Sequence, residues 1–119
     1  MIVSKLIKNN LPFLERVQQK SRSNRAQREL IRRASDEQLL CLVEICLNII
    51  KGRVPLRSKH VKKLQTHAPL LRRLARTRCS KSAKNLLTPP NQQGGGLPAI
   101  AGLVASIVVP LIVNALENK

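Results

Sequence analysis

Aromatic residues are almost missing from this chain of 119 residues, in which Phe13 is the only one and Trp and Tyr do not occur. Proteins that bind single strands or read RNA bases stack those bases on aromatic side chains. The composition therefore argues against base stacking and leaves phosphates as the target of any nucleic-acid binding. A deep catalytic cleft is not expected either, because so small a domain leaves much of its surface exposed.

Cysteine is also scarce, and the three present are Cys41, Cys46 and Cys79. Their number is odd and they form no closely spaced pair, so we expect free thiols in a reducing compartment. Cys41 and Cys46 are five positions apart and would point in different directions on one helix, so no metal site is predicted. Lys5 and Lys8 interrupt the only early apolar stretch, and no secretory signal is expected.

Motifs of known catalytic chemistry are missing as well. The sequence contains no Ser, His and Asp set, no paired carboxylates and no phosphate-binding loop, since Gly94, Gly95 and Gly96 are followed by Leu97 and Pro98 rather than by Lys and Ser. We therefore expect neither enzymatic activity nor a cofactor.

Acidic residues number only six against 22 Lys and Arg, which gives a formal net charge of +16 and a pI near 11.4. The excess is polarised: residues 1–35 have nine basic and two acidic groups, 36–50 have three acidic groups, and 51–90 have twelve basic groups. Residues 91–119 have one of each. Such an imbalance predicts an anionic partner, of which DNA, RNA and an anionic membrane surface are the alternatives.

The basic residues form two clusters that we predict to contact nucleic acid. Basic faces on single helices are usually just solvated surface, but here two blocks have almost no acidic neutralisation, which favours polyanion binding. The first cluster consists of Arg22, Arg25, Arg28, Arg32 and Arg33. The second, predicted to be the main contact, consists of Lys59, Lys62, Lys63, Arg72, Arg73, Arg76, Arg78, Lys81 and Lys84.

The predicted fold class is all-α: a small bundle of short amphipathic helices, a flexible linker and a hydrophobic C-terminal segment. The best-defined helix covers residues 36–51, where Ser35 and Gln38 form a capping box and Gly52 provides a left-handed stop. Its apolar residues cover most of its circumference, so we expect it at the centre of the bundle. Shorter helices are predicted at residues 11–20, 25–34, 59–67, 69–78 and 81–87.

The chain divides into a basic helical domain at residues 1–88, a Pro- and Gly-rich linker at 89–96 and a hydrophobic tail at 97–119. Residues 97–116 contain no charge and as a helix would span about 30 Å, the thickness of a bilayer core. Three alternatives follow for the tail: insertion into a membrane, docking in the groove of a partner such as a capsid protein, or burial in the protein's own core. The linker favours the first two.

The order of these parts resembles a family of small basic proteins encoded by Polinton (Maverick) elements and adintoviruses. The resemblance rests on residues 42–56 (LVEICLNIIKGRVPL), 62–64 (KKL), 71–75 (LRRLA) and 92–100 (QQGGGLPAI). The last of these segments is also similar to the end of the adenovirus core protein X family, the mu precursors, where glycines, a Leu-Pro pair and a long apolar run follow an Arg-rich block.

This resemblance implies a virion protein of host nucleus or cytoplasm, either a DNA-condensing core component or a minor capsid protein. It also implies processing by an adenovirus-type cysteine protease, with Gly94, Gly95 and Gly96 as the candidate site, although Gln92 stands where that pattern has an apolar residue. The residues alone leave two other functions open: a membrane-active or membrane-anchored protein that binds anionic lipid, and a capsid-cementing protein that binds acidic patches.

Overall fold

A computed structural model describes residues 3–20, 24–77, 79–87 and 100–117, all of whose regular structure is helical. The all-α prediction is confirmed. The helices are α1 (Lys5–Asn9), α2 (Leu11–Gln19), α3 (Asn24–Arg32), α4 (Asp36–Ile50), α5 (Ser58–Gln65), α6 (Ala68–Arg76), α7 (Ser80–Leu87) and α8 (Ile100–Glu117). Six of them lie within a few residues of the predicted bounds, whereas α1 was not predicted.

The central helix is α4, as its composition predicts. Ser35 and Gln38 form the reciprocal capping box, and Asp36 and Glu37 lie in the first turn, where the helix dipole favours negative charge. At the other end Gly52 has a φ of 69°, and the Arg53 amide donates to the Asn48 carbonyl at 2.9 Å. This 6→1 bond is the Schellman ending that the Gly52 position predicts.

Helix α4 buries most of its length against neighbours on several sides. It packs against α1, α6 and α7, and Leu39, Leu42 and Ile45 are fully buried. Its last turn differs from the prediction, because Ile49 is half-buried and Ile50 is exposed. Helix α4 is therefore central over its first three turns, and its last turn before Gly52 lies nearer the surface.

The apolar helix α8 lies in the same core as the basic helices. It packs along α2, and Ile100, Ala101 and Val104 meet side chains of α4, α6 and α7 around a small internal void. The helix is long and apolar enough to cross a membrane, but half of its residues are buried in the protein. The expectation of a tail separate from the basic domain is thus corrected: the structure has the third alternative, burial in the protein's own core.

Helix α8 is buried because the other helices offer too little apolar surface to form a core among themselves. The short helices α2, α3, α6 and α7 each offer a narrow apolar stripe, and a stable core needs a partner that is apolar on several sides. Helix α8 supplies that partner, with Val108 and Ile112 completely buried. The predicted linker at residues 89–96 lies outside the described residues.

One buried polar side chain interrupts this core. Gln27 of α3 is 1% exposed, and neither its amide nitrogen nor its amide oxygen has a hydrogen-bond partner. Its amide packs against Gly102 of α8, where a Cβ atom would overlap it. Gly102 therefore provides the space that the Gln27 side chain occupies between the two helices.

Helix α1 escaped prediction because its signals are local and weak. It has only five residues, and the hydroxyl of Ser4 caps it by accepting from the Ile7 amide. The same hydroxyl donates to Glu44 of α4, which anchors α1 to the central helix. Asn10 is both the C-cap residue of α1 and the N-cap residue of α2, and its side-chain nitrogen donates to the Leu6 carbonyl at 2.8 Å.

Candidate nucleic-acid interface

The larger predicted cluster lies on three consecutive helices, α5, α6 and α7. Seven of its members are exposed, and none of the seven forms an ion pair with another described residue. They are Lys59, Lys62, Lys63, Arg72, Arg73, Arg76 and Lys81. Their charges are therefore available to an external anion.

Helix α6 shows how the sequence produces this arrangement. Leu71 and Leu74 are buried against α4, and the helical repeat directs Arg72, Arg73 and Arg76 to the opposite side. The helix ends at Thr77, whose hydroxyl donates to the Arg73 carbonyl at 2.8 Å. The three guanidinium groups consequently share one solvent-facing surface.

An open surface depression lies beside two of these arginines. It encloses about 430 Å³ and is lined by Arg73, Arg76, Thr77, Ser82 and Leu86, from the end of α6 to α7. Guanidinium groups bind phosphate oxygens in a planar, bidentate geometry. The depression has the size and chemistry to receive one phosphate of a nucleic-acid backbone.

The fold brings the two sequence clusters together, because α7 packs against α3. The Lys84 ammonium donates to the Arg32 carbonyl at 2.9 Å, across 52 positions of sequence. Lys84 is half-buried and serves as a link between the two helices. Among the residues predicted to contact nucleic acid, Lys84 therefore forms a hydrogen bond within the protein.

The first cluster is partly neutralised by Glu29. Its carboxylate lies 3.2 Å from the Arg32 guanidinium and 3.6 Å from that of Arg33. These pairs are largely exposed, so each is worth only about 0–1 kcal/mol, and a phosphate can displace them. Arg25 is exposed and Arg28 half-buried. Glu29 therefore compensates part of the positive charge on the α3 surface.

Acidic groups also border α7 on one side. The Ser80 hydroxyl donates to the Asp36 carboxylate at 2.7 Å, which joins the start of α7 to the start of α4. Asp36 and Glu37 are both exposed. The two carboxylates reduce the positive charge at this edge of α7.

The surroundings of His60 on α5 lower its pKa. Partial desolvation lowers this pKa below its ordinary value, and the neighbouring charges of Lys59, Arg57 and Lys63 lower it further. His60 is thus mostly uncharged at neutral pH and adds little to anion binding. A bound polyanion would raise its pKa by compensating those charges.

The three cysteines are free and differ in reactivity. Burial raises the pKa of Cys46 to about 12, and burial together with Glu44 and Glu37 does the same for Cys41. Cys79 is exposed, and hydrogen bonds from Ser82 lower its pKa. No group of three or more His, Cys, Asp or Glu residues that could hold a metal occurs within the described ranges.

Three exposed cations next to the larger cluster were not among the predicted contacts. Lys51, Arg53 and Arg57 lie in the connection between α4 and α5, directly before the predicted cluster. The feature of the sequence that points to these three residues is the block 51–90, which contains twelve basic and no acidic residues. They extend the cationic surface beyond α5.

Some predicted site residues cannot be placed. Arg22, Arg78 and the candidate protease site of Gly94, Gly95 and Gly96 lie outside the described residues.

No protein-family model matches the chain, and neither a curated protein nor a solved structure matches it. The function must therefore be argued from the geometry and charge of the surface itself.

Proposed function

We propose that this protein is a structural protein that binds the backbone of duplex DNA without reading its sequence. The observation that carries the proposal is the set of seven exposed cations without an ion pair on α5, α6 and α7. Cations of this kind bind phosphates and release the counterions of DNA. The only aromatic side chain, Phe13, is buried in the core and cannot stack on bases.

The biological setting that we propose is a virus or a viral element, with the protein as a core or minor capsid component. This part rests on the resemblance to the proteins of Polinton elements and adintoviruses. Condensing packaged DNA needs affinity for phosphates and no sequence selectivity, which fits the chemistry of the α5 to α7 surface. With α8 inside the core, the attachment to a capsid would use a surface of the folded protein, not a free tail.

The test is a titration of the full chain against two unrelated duplexes over a range of salt concentrations. We expect similar affinities for both sequences and a log-log salt slope of about −0.9 for each phosphate neutralised. Equal numbers of anionic and neutral vesicles, offered in parallel, identify lipid as a competing polyanion. A flat salt dependence, or tighter binding to anionic vesicles than to DNA, contradicts the proposal.

A pair of variants with equal net charge locates the surface. The first combines Arg73→Gln, Arg76→Gln and Lys81→Gln, and the second neutralises the exposed Lys5, Lys8 and Arg16 of α1 and α2. We expect the salt slope to fall by about 1 for each residue of the first set and by much less for the second. If both variants lose affinity equally, only net charge matters and the proposed surface is wrong.

A further inference from the structure

An apolar groove lies on a different part of the surface from the depression beside Arg73 and Arg76. It runs between the end of α4, the loop after Gly52, α5 and α6, and it encloses about 410 Å³. Its apolar walls are formed by Ile49, Ile50, Val54, Leu56, Val61 and Leu71.

The most exposed large hydrophobic side chains of the described chain are both on this groove. Ile50 is 42% exposed and Val61 is 37% exposed, and both line it. The cause is local: α5 buries Leu64 alone, which leaves Val61 outside, and the Gly52 turn ends α4 before Ile50 is covered. Two such side chains side by side in a shared concavity mark a contact surface, whereas single exposed apolar residues are ordinary.

The charge around the groove selects its occupant. Arg72 lines the groove, and the exposed Lys51, Arg53 and Lys62 are sequence neighbours of the lining residues Ile50, Gly52, Val54 and Val61. No acidic residue occurs anywhere between Glu44 and Glu117. A second copy of this chain, with its net charge of +16, is therefore repelled from the groove, and a basic partner is repelled in the same way.

Nucleic acid does not fit the groove either. Its walls are aliphatic and have no aromatic face on which a base can stack, and a sugar-phosphate backbone would lose hydration there without apolar contacts in return. The occupant must present apolar side chains to the walls and negative charge to the rim. An amphipathic helix with carboxylates on its flanks has both properties.

We propose that this groove docks an acidic amphipathic segment of a partner protein, in which apolar side chains contact Ile50 and Val61 and carboxylates contact Arg72 and the neighbouring cations. The inference goes beyond DNA binding. The groove and the α6–α7 depression share no lining residue, and of the seven cations proposed to bind DNA Arg72 alone lines the groove.

The experiment uses fluorescein-labelled synthetic helical peptides and the full chain. The probe has pairs of Leu alternating with pairs of Glu; one control peptide has Ser in place of every Leu, and another has Lys in place of every Glu. We expect the Leu/Glu peptide to bind at least tenfold more tightly than either control. Equal binding of the Ser/Glu peptide would show that charge alone is responsible, and equal binding of the Leu/Lys peptide would show that the cationic rim does not select; either result overturns the proposal.

Variants test the location. The double variant Ile50→Gln, Val61→Gln keeps the net charge and alters exposed positions, and we expect it to lower affinity for the Leu/Glu peptide by about tenfold or more. The matched control Leu116→Gln, at the half-buried end of α8, should bind as the native chain does. Circular dichroism checks that both variants are folded.

Two further readouts make each outcome decisive. Duplex DNA binding, measured in parallel, should be unchanged by the double variant. Loss of peptide binding and loss of DNA binding can therefore be told apart. Unchanged peptide binding by the folded double variant overturns the proposal. Sedimentation analysis of the native chain should give a monomer, and a dimer that the double variant abolishes would mean that the groove is occupied by a second copy instead.

Discussion

The amide of Gln27 is the most unfavourable polar group in the core. Both of its polar atoms are buried without a partner, which costs about 1–3 kcal/mol relative to a solvated amide. Replacement by Met keeps the shape and removes the unsatisfied atoms. We expect Gln27→Met to raise the free energy of unfolding by about 1–3 kcal/mol in urea titrations, and Gln19→Met at an exposed position of α2 to leave it unchanged. A destabilised Gln27→Met protein would mean that the amide has a partner.

Gly102 is coupled to the same side chain. A Cβ at this position would overlap the Gln27 amide, so Gly102→Ala should destabilise the protein in thermal unfolding. The overlap disappears when Gln27 is also replaced by Ala. In a double-mutant cycle the two substitutions should therefore be non-additive, with a coupling of about 0.5–3 kcal/mol that favours the double variant. Additive effects would show that the two residues do not meet.

Cys79 should be the reactive thiol of the chain. Hydrogen bonds from Ser82 lower its pKa, so a larger fraction is thiolate at mildly alkaline pH, whereas burial holds Cys41 and Cys46 at about 12. Brief iodoacetamide treatment followed by peptide mass spectrometry should find label on Cys79 alone. Ser82→Ala should raise the pKa of Cys79 and slow its labelling. Rapid labelling of Cys46 in the native protein would contradict its burial.

At the scale of elements, α4 is the helix against which α1, α6 and α7 pack. Leu42 is buried in its middle, so we expect Leu42→Ala to lower the free energy of unfolding by about 2–5 kcal/mol. Ile49 is only half-buried beside the groove, and Ile49→Ala should cost clearly less. Loss of the cap in Ser35→Ala should cost about 1 kcal/mol. Urea titrations rank the three variants, and an equal loss at Leu42 and Ile49 would contradict the observed end of the core.

The placement of α8 gives a second prediction at this scale. Ile112 is completely buried, so Ile112→Ala should lower the melting temperature of the entire protein in one cooperative transition. Val113→Ala, at a half-buried neighbouring position, should have a smaller effect. The measurement is thermal unfolding followed by circular dichroism. A variant whose melting temperature equals that of the native chain would mean that α8 does not belong to the core in solution.

At the scale of the whole molecule, the net charge of +16 opposes folding through self-repulsion. Raising NaCl from about 0.01 M to about 0.1 M shortens the screening length from about 30 Å to about 10 Å. We therefore expect the melting temperature to rise over this range. The Arg73→Gln, Arg76→Gln, Lys81→Gln variant, with less repulsion to screen, should show a smaller rise. A melting temperature that falls with salt would indicate that favourable ion pairs outweigh repulsion.

The sequence by itself determined the features that depend on near neighbours in the chain. The capping box of Ser35 and Gln38, the left-handed Gly52 and the repeat that separates Leu71 and Leu74 from the arginines of α6 are each contained within one or two helical turns. Charge is equally local in origin, because a surplus of Lys and Arg with almost no Asp or Glu remains exposed in any fold.

Which helix surfaces pack against one another depends on the tertiary structure. The sequence of an apolar helix such as α8 is equally compatible with a membrane, a partner's groove and the protein's own core. Which of these environments the helix occupies depends on the apolar stripes that the other helices leave uncovered. The same holds for the contact between Lys84 and the Arg32 carbonyl, which joins the two cationic clusters. These contacts join residues far apart in the chain, and no local pattern encodes such distances.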